Sequence, residues 1–178
     1  MLGILASQIT GHLSTNSFES IQTVTLGSAA SSVSFTSIPS TYKHLQIRFI
    51  ANNASNSDVK AQFNGDTTSN YARHYLYGDG SSAAAGANAG DNAMSFGYVP
   101  NATANIFGAG IIDILDYANT NKYKTARSLA GNDKNGSGLI VLYSSLWQST
   151  SAVTSISMFP GAGNFNQYSS FALYGVKG

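Results

Sequence analysis

The sequence contains no cysteine, so neither disulfides nor thiolate metal sites hold this fold together, and a small stapled scaffold is excluded. Charge is scarce: Glu19 is the only glutamate, and nine Lys and Arg stand against eight Asp and Glu for a net charge of +1. The basic residues are scattered from Lys43 to Lys177, whereas a nucleic-acid or anionic-membrane binder needs a concentrated positive field. Neither nucleic acid nor membrane is an expected partner. Long hydrophobic runs are missing as well. The opening MLGILASQITGHL is apolar, yet it has no basic leader, and its uninterrupted apolar stretch is too short for a signal-peptide core or for a span of about 20 residues.

What is present points to strands. Ser, Thr, Asn and Gly supply 73 of the 178 residues, and the first three compete with a helical backbone for hydrogen bonds while favouring turns and strands. Period-two alternation recurs from Ser20 onward. In HLQIRFI, Leu45, Ile47 and Phe49 share one face while Gln46 and Arg48 share the other. Val59, Ala61 and Phe63 repeat the pattern, and Val33 with Phe35 is a shorter version. Further strands are predicted in SIQTVTL, RHYLYG, MSFGYV, IFGAGIIDIL, YKTARSLA, AVTSISMF and SSFALYGV. GLIVLYSS is apolar at consecutive positions, which predicts a central strand covered on both faces. Asn64-Gly65 and Asn135-Gly136 place residues tolerant of positive φ where tight hairpin turns need them. Residues 78–92, GDGSSAAAGANAGDN, read as a long exposed loop. The chain length suits one domain. The expected fold is all-β: a single antiparallel β-sandwich, jelly-roll-like, of about ten strands over residues 19–178, preceded by an apolar arm over residues 1–18.

The acidic and imidazole side chains do not assemble into a site on paper. In DILDYANTNKYKTARS, Asp113 and Asp116 lie an odd number of residues apart, so a strand would point them to opposite faces. That stretch reads as a strand, a loop near ANTN and a returning strand, with Asp113 near Lys124 across the pair. His12, His44 and His74 lack metal-ligand spacing. GNDKNGSG has Asp133 and Asn135 at alternate positions but no distal glutamate, so it reads as a turn rather than a calcium loop. Nucleophile-elbow, phosphate-loop and dinucleotide-binding signatures are missing. No enzyme, cofactor or metal is expected.

Two features suit contact instead. Tyr71, Tyr75 and Tyr77 fall on one face of a predicted strand, with Arg73 among them. Such a stripe serves a subunit interface, a sugar platform or half-buried core equally well. In the arm, Leu2, Ile4, Leu5, Ile9 and Leu13 precede the first strand with no Asp, Glu, Lys or Arg before Glu19. An exposed apolar segment of this kind finds a partner surface, either by docking on another protein or a neighbouring subunit through strand addition or insertion into a groove, or by adding a strand to its own sandwich.

The phrases SIPSTYKHLQIR, HYLYGDG, DILDYANTNKYKTARSLAG, LWQST and SSFALYGVKG, with GILASQITG at the start, resemble a group of small structural proteins encoded by tailed bacteriophages, especially phages of cyanobacteria and other aquatic bacteria. The resemblance covers nearly the whole chain and carries no catalytic or metal residues with it. It implies a virion component: a decoration or cement protein on the outer capsid surface, bound to the major capsid protein or other virion proteins. The alternative it implies is a tail or fibre module that recognises a host glycan. A homotrimer is expected from the local threefold sites of a capsid lattice, where three arms would act together.

Overall fold

The computed structural model describes residues 17–100 and 105–178. Twelve strands follow in order: β1 (Phe18–Thr25), β2 (Val33–Phe35), β3 (His44–Ala51), β4 (Ser57–Phe63), β5 (Tyr71–Gly78), β6 (Ala83–Asp91), β7 (Met94–Val99), β8 (Gly108–Ile114), β9 (Lys124–Asp133), β10 (Gly138–Trp147), β11 (Ile156–Pro160) and β12 (Ser170–Val176). They form two antiparallel sheets, one of eight strands in the order β1-β12-β3-β8-β9-β10-β5-β6 and one of four in the order β2-β11-β4-β7. The described residues contain no helix, as the shortage of helix formers requires. Each strand of the small sheet is entered from the large sheet and left for it again, and only β5–β6 and β8–β9–β10 run on within one sheet. This is a β-sandwich with unequal layers.

The core follows from alternation. In β3, Leu45, Ile47 and Phe49 point inward and meet Ile114 and Ile112 of β8 on one side and Leu173 and Phe171 of β12 on the other. Opposite them the small sheet contributes Val33, Phe35, Val59, Ala61, Phe63 and Ile156, all buried. Phe49 has its room because its neighbours lack side chains. A Cβ on Gly110 would lie 2.3 Å from the Phe49 ring, and one on Gly97 would lie 3.1 Å from it.

The β9–β10 hairpin closes through Asn135 (φ 61) and Gly136 (φ 97), with Lys134 N–H donating to the Ser137 carbonyl and Asp133 accepting from Gly136 N–H. Both central residues are left-handed, as a two-residue hairpin turn demands. Asn64 (φ 53) and Gly65 (φ 70) also make a tight turn, but not a hairpin: β4 lies in the small sheet and β5 in the large one. Turn chemistry decides how sharply the chain reverses, not which sheet it joins next.

Three other expectations are corrected. Residues 83–91 are not loop but β6, an edge strand paired along β5; its alanines and glycines contribute little burial, and backbone pairing holds it. Asp113 faces Arg127, not Lys124, across the β8–β9 pair. Lys124 lies on the inner face, where Nζ donates to the carbonyls of Lys122 and Thr150 at 2.9 and 3.0 Å. Finally, β10 is covered on one side only. Val141, Tyr143, Ser145 and Trp147 are buried, while Ile140 and Leu142 alternate with them on the exposed side. A four-stranded layer covers one face of an eight-stranded sheet, and among the described residues nothing covers the other.

Candidate functional site

Cross-strand register builds an apolar surface on that uncovered face. Ala85, Leu76, Leu142, Leu129 and Ile111 stand directly opposite one another across β6, β5, β10, β9 and β8, and the row continues to Arg48 of β3. The next row runs Ala83, Gly78, Ile140, Gly131, Ala109 and Ile50. Leu76, Leu142, Leu129, Ile140 and Ile50 are between 45% and 58% exposed. Single exposed aliphatics are ordinary, but five in two adjoining rows form a patch of the kind that marks an interface. The surface carries only two shallow, open depressions, one beside Leu129 and Ile140 and one beside Leu76 and Leu142.

A polar border flanks the rows. Gln46 Nε2 donates to Asp113 Oδ1 at 2.9 Å, and Arg48 Nε donates to Gln46 Oε1 at 2.9 Å. The Arg48 guanidinium lies over the rings of Tyr174 and Phe18, 4.9 and 5.3 Å from their centroids. Cation–π attraction thus ties the edge strand β1 to β3 across β12. Asp116 falls outside this border, in the turn after β8, with Lys43 at 3.2 Å and with Lys122. Hydrogen bonds from these two lysines hold its carboxyl at about 2. Asp113 and Asp116 therefore serve different neighbours. His44 Nδ1 accepts from Asp116 N–H at 2.9 Å, while His74 stands exposed on β5; His12 lies outside the described residues.

The tyrosine stripe divides. Tyr71 is fully buried; its ring stacks on Trp147 at 6.3 Å and its hydroxyl donates to the Asp66 carbonyl at 2.9 Å. Burial pushes that hydroxyl up to about 12, so Tyr71 is core. Trp147 Nε1 donates to Asp66 Oδ2 at 2.7 Å. Burial raises the Asp66 carboxyl, but hydrogen bonds from Thr68, Trp147 and Asn70 outweigh it and leave the group at about 2. Tyr75 and Tyr77 are half-buried and line a cleft of about 330 Å3 with Arg73. β10 contributes Leu139, Val141 and Tyr143 to that cleft, and the small sheet adds Asp58 of β4 and Tyr98 of β7, which face each other across their pair.

The arm residues Leu2, Ile4, Leu5, Ile9 and Leu13 lie outside the described residues. Sequence reasoning missed Leu76, Leu129, Ile140 and Leu142 as surface residues. The signal was the unbroken apolar run in GLIVLY, which reports apolar faces on both sides of a strand without saying which side the protein covers itself. Asp58, Tyr98 and Tyr143 were missed because nothing in their spacing anticipates a bulge in β7 and the meeting of two sheets. Among the described residues, no group of three or more His, Asp or Glu is placed to hold a metal ion. Comparison of the chain with protein-family models, with curated proteins and with solved structures finds no match to any of them.

Proposed function

We propose that this chain is a non-enzymatic structural protein of a virion, a decoration protein that joins the outer capsid surface through the open face of its large sheet. The observation that carries this reading is the double row of exposed aliphatic side chains on that face. The occupant is an apolar surface of the shell protein. Eight strands at about 4.8 Å spacing and eight residues at about 3.3 Å rise give a whole face on the order of 1,000 Å2, room enough for the roughly 800 Å2 that one partner contributes to a standard stable interface, with the apolar rows at its centre and the polar border at its rim. The resemblance to phage structural proteins supplies the setting. In that setting the N-terminal arm adds a second contact, and a homotrimer on a local threefold site would multiply both.

Contact of this kind needs no chemistry. Apolar area removed from water between the sheet and two neighbouring shell subunits opposes the separation of those subunits.

The test is binding of the full chain to virions that lack it. The natural protein is expected to co-sediment to saturation, and antibody labelling is expected to spread over the shell. A double variant, Leu129→Lys with Leu142→Glu, places opposite charges across the β9–β10 pair at two exposed positions and so keeps the fold, and is expected to stay in the supernatant. Failure of the natural protein to bind, equal binding by the variant, or labelling confined to one vertex would each overturn the decoration reading.

A further inference from the structure

We infer that the cleft bounded by β5, β10 and the β4–β7 edge is a binding site for a neutral saccharide. Its volume of about 330 Å3 lies at the small end of ligand pockets and suits one or two sugar rings rather than a polymer groove. Four tyrosines from both sheets, Tyr75, Tyr77, Tyr98 and Tyr143, line it. A sugar ring has an apolar C–H face and a rim of hydroxyls; a tyrosine ring offers an apolar face and a polar tip to match. The pairing is complementary in both respects.

The platform is held in place. Tyr75 lies 6.3 Å from the Tyr77 ring and 5.6 Å from the Tyr143 ring. Its outer end rests over β6 at Gly86, where a Cβ would stand 2.5 Å from the tyrosine hydroxyl. Only glycine opposite Tyr75 allows that ring to lie flat against the edge strand.

The polar groups in the cleft are underused. Asp58 Oδ1 receives the Tyr143 hydroxyl and Oδ2 the Ser95 hydroxyl, both at the long distance of 3.4 Å. A carboxylate has about four acceptor positions, so Asp58 keeps capacity for a pair of sugar hydroxyls. Arg73 donates from Nη1 to Ser95 Oγ at 2.6 Å and pairs with Asp91 at 3.2 Å, while its Nε has no acceptor among the described residues. With one carboxylate and one guanidinium lining it, the cleft favours an uncharged ligand over an acidic or basic one. Here Tyr75, Tyr77 and Tyr98 are half-exposed around open space. The site does not depend on the outer face and stands or falls apart from the capsid reading.

Titration calorimetry on the full chain with glucose, galactose, mannose, N-acetylglucosamine and their short oligomers tests it, with glucuronic acid as the anionic comparison. At least one neutral sugar is expected to bind saturably, and glucuronic acid more weakly. Asp58→Asn keeps the side-chain shape and is expected to weaken binding about tenfold, the worth of a hydrogen bond to a charged acceptor. Gly86→Ala displaces the Tyr75 ring without touching the sugar and is expected to weaken binding by a similar factor. Leu142→Lys on the outer face is expected to leave it unchanged. Circular dichroism confirms that each variant is folded, and should Asp58→Asn fail that check, Gly86→Ala carries the test alone. No saturable binding by any neutral sugar at millimolar concentration, or binding indifferent to the folded cleft variants, would overturn the assignment.

Discussion

The two faces of the eight-stranded sheet are built from the same kinds of side chain and have opposite fates. On β10, Val141 and Tyr143 turn inward and are covered by the small sheet, while Ile140 and Leu142, no less apolar, turn outward and stay more than half exposed. Apolar area removed from water contributes roughly 25 cal/mol per Å2 wherever it is removed. On the inner face that stabilisation is realised when the chain folds; on the outer face it remains available for a partner. Hydrophobicity alone therefore does not separate a covered face from a bare one, and the number of strands on each side does.

The comparison breaks if inner and outer substitutions cost the same. Phe171→Ala should have the largest effect: the ring is fully buried, 4.8 Å from Phe165 and 6.2 Å from Phe49. Its removal is expected to cost about 3–5 kcal/mol in urea unfolding. Gly110→Ala adds a methyl group where the Phe49 ring already lies, and the overpacked inner face is expected to lose about 1–3 kcal/mol in the same measurement.

A smaller effect belongs to the rim of the inner face, where Asp66 caps Trp147. The Asp66 carboxyl lies at about 2 in the fold against 3.8 as its ordinary value. The folded state thus binds this proton less tightly than the unfolded one. Asp66 contributes stability that is fully present above about pH 4 and is lost as pH falls toward 2. Asp116, held at about 2 by Lys122 and Lys43, acts in the same window. Asp66→Asn is expected to flatten the acid side of the stability profile, followed by thermal unfolding between pH 2 and pH 5; an unchanged slope would remove Asp66 from the account.

Leu142→Ser should have the smallest effect of all. Its side chain is 51% exposed, and its loss is expected to change stability by about 0.5 kcal/mol or less. If the chain decorates a capsid as proposed above, virion binding, by contrast, should weaken. A cost comparable with that of Phe171→Ala would mean that the isolated chain already buries this face.

Most of the strands were legible. Each predicted segment holds a strand, since the alternation in HLQIRFI and the apolar runs further on survive into the structure as β3, β8, β10 and β12. β6 was not legible, because AAAGANAG has no side chain that demands a side, and an edge strand made of backbone pairing leaves no hydrophobic signature. Tyr71 was misleading in another way. It shares the parity of Tyr75 and Tyr77, yet it is sealed in the core, while the other two stand half-buried at the cleft where the small sheet no longer closes on β5. Parity assigns a face and says nothing of how far the opposing layer extends.

Sequence alone determined the class of this protein. Absence of cysteine, scarcity of helix formers and period-two alternation left an all-β chain that holds itself together by burial, since each of those properties is local. The division into eight strands and four was decided only in three dimensions, and with it the bare apolar face and the meeting of Asp58, Tyr75, Tyr98 and Tyr143. Which strands become neighbours depends on competition among many similar edges for the same partners. The free energy of that choice is a sum over contacts between residues far apart in the chain, which no local stretch contains.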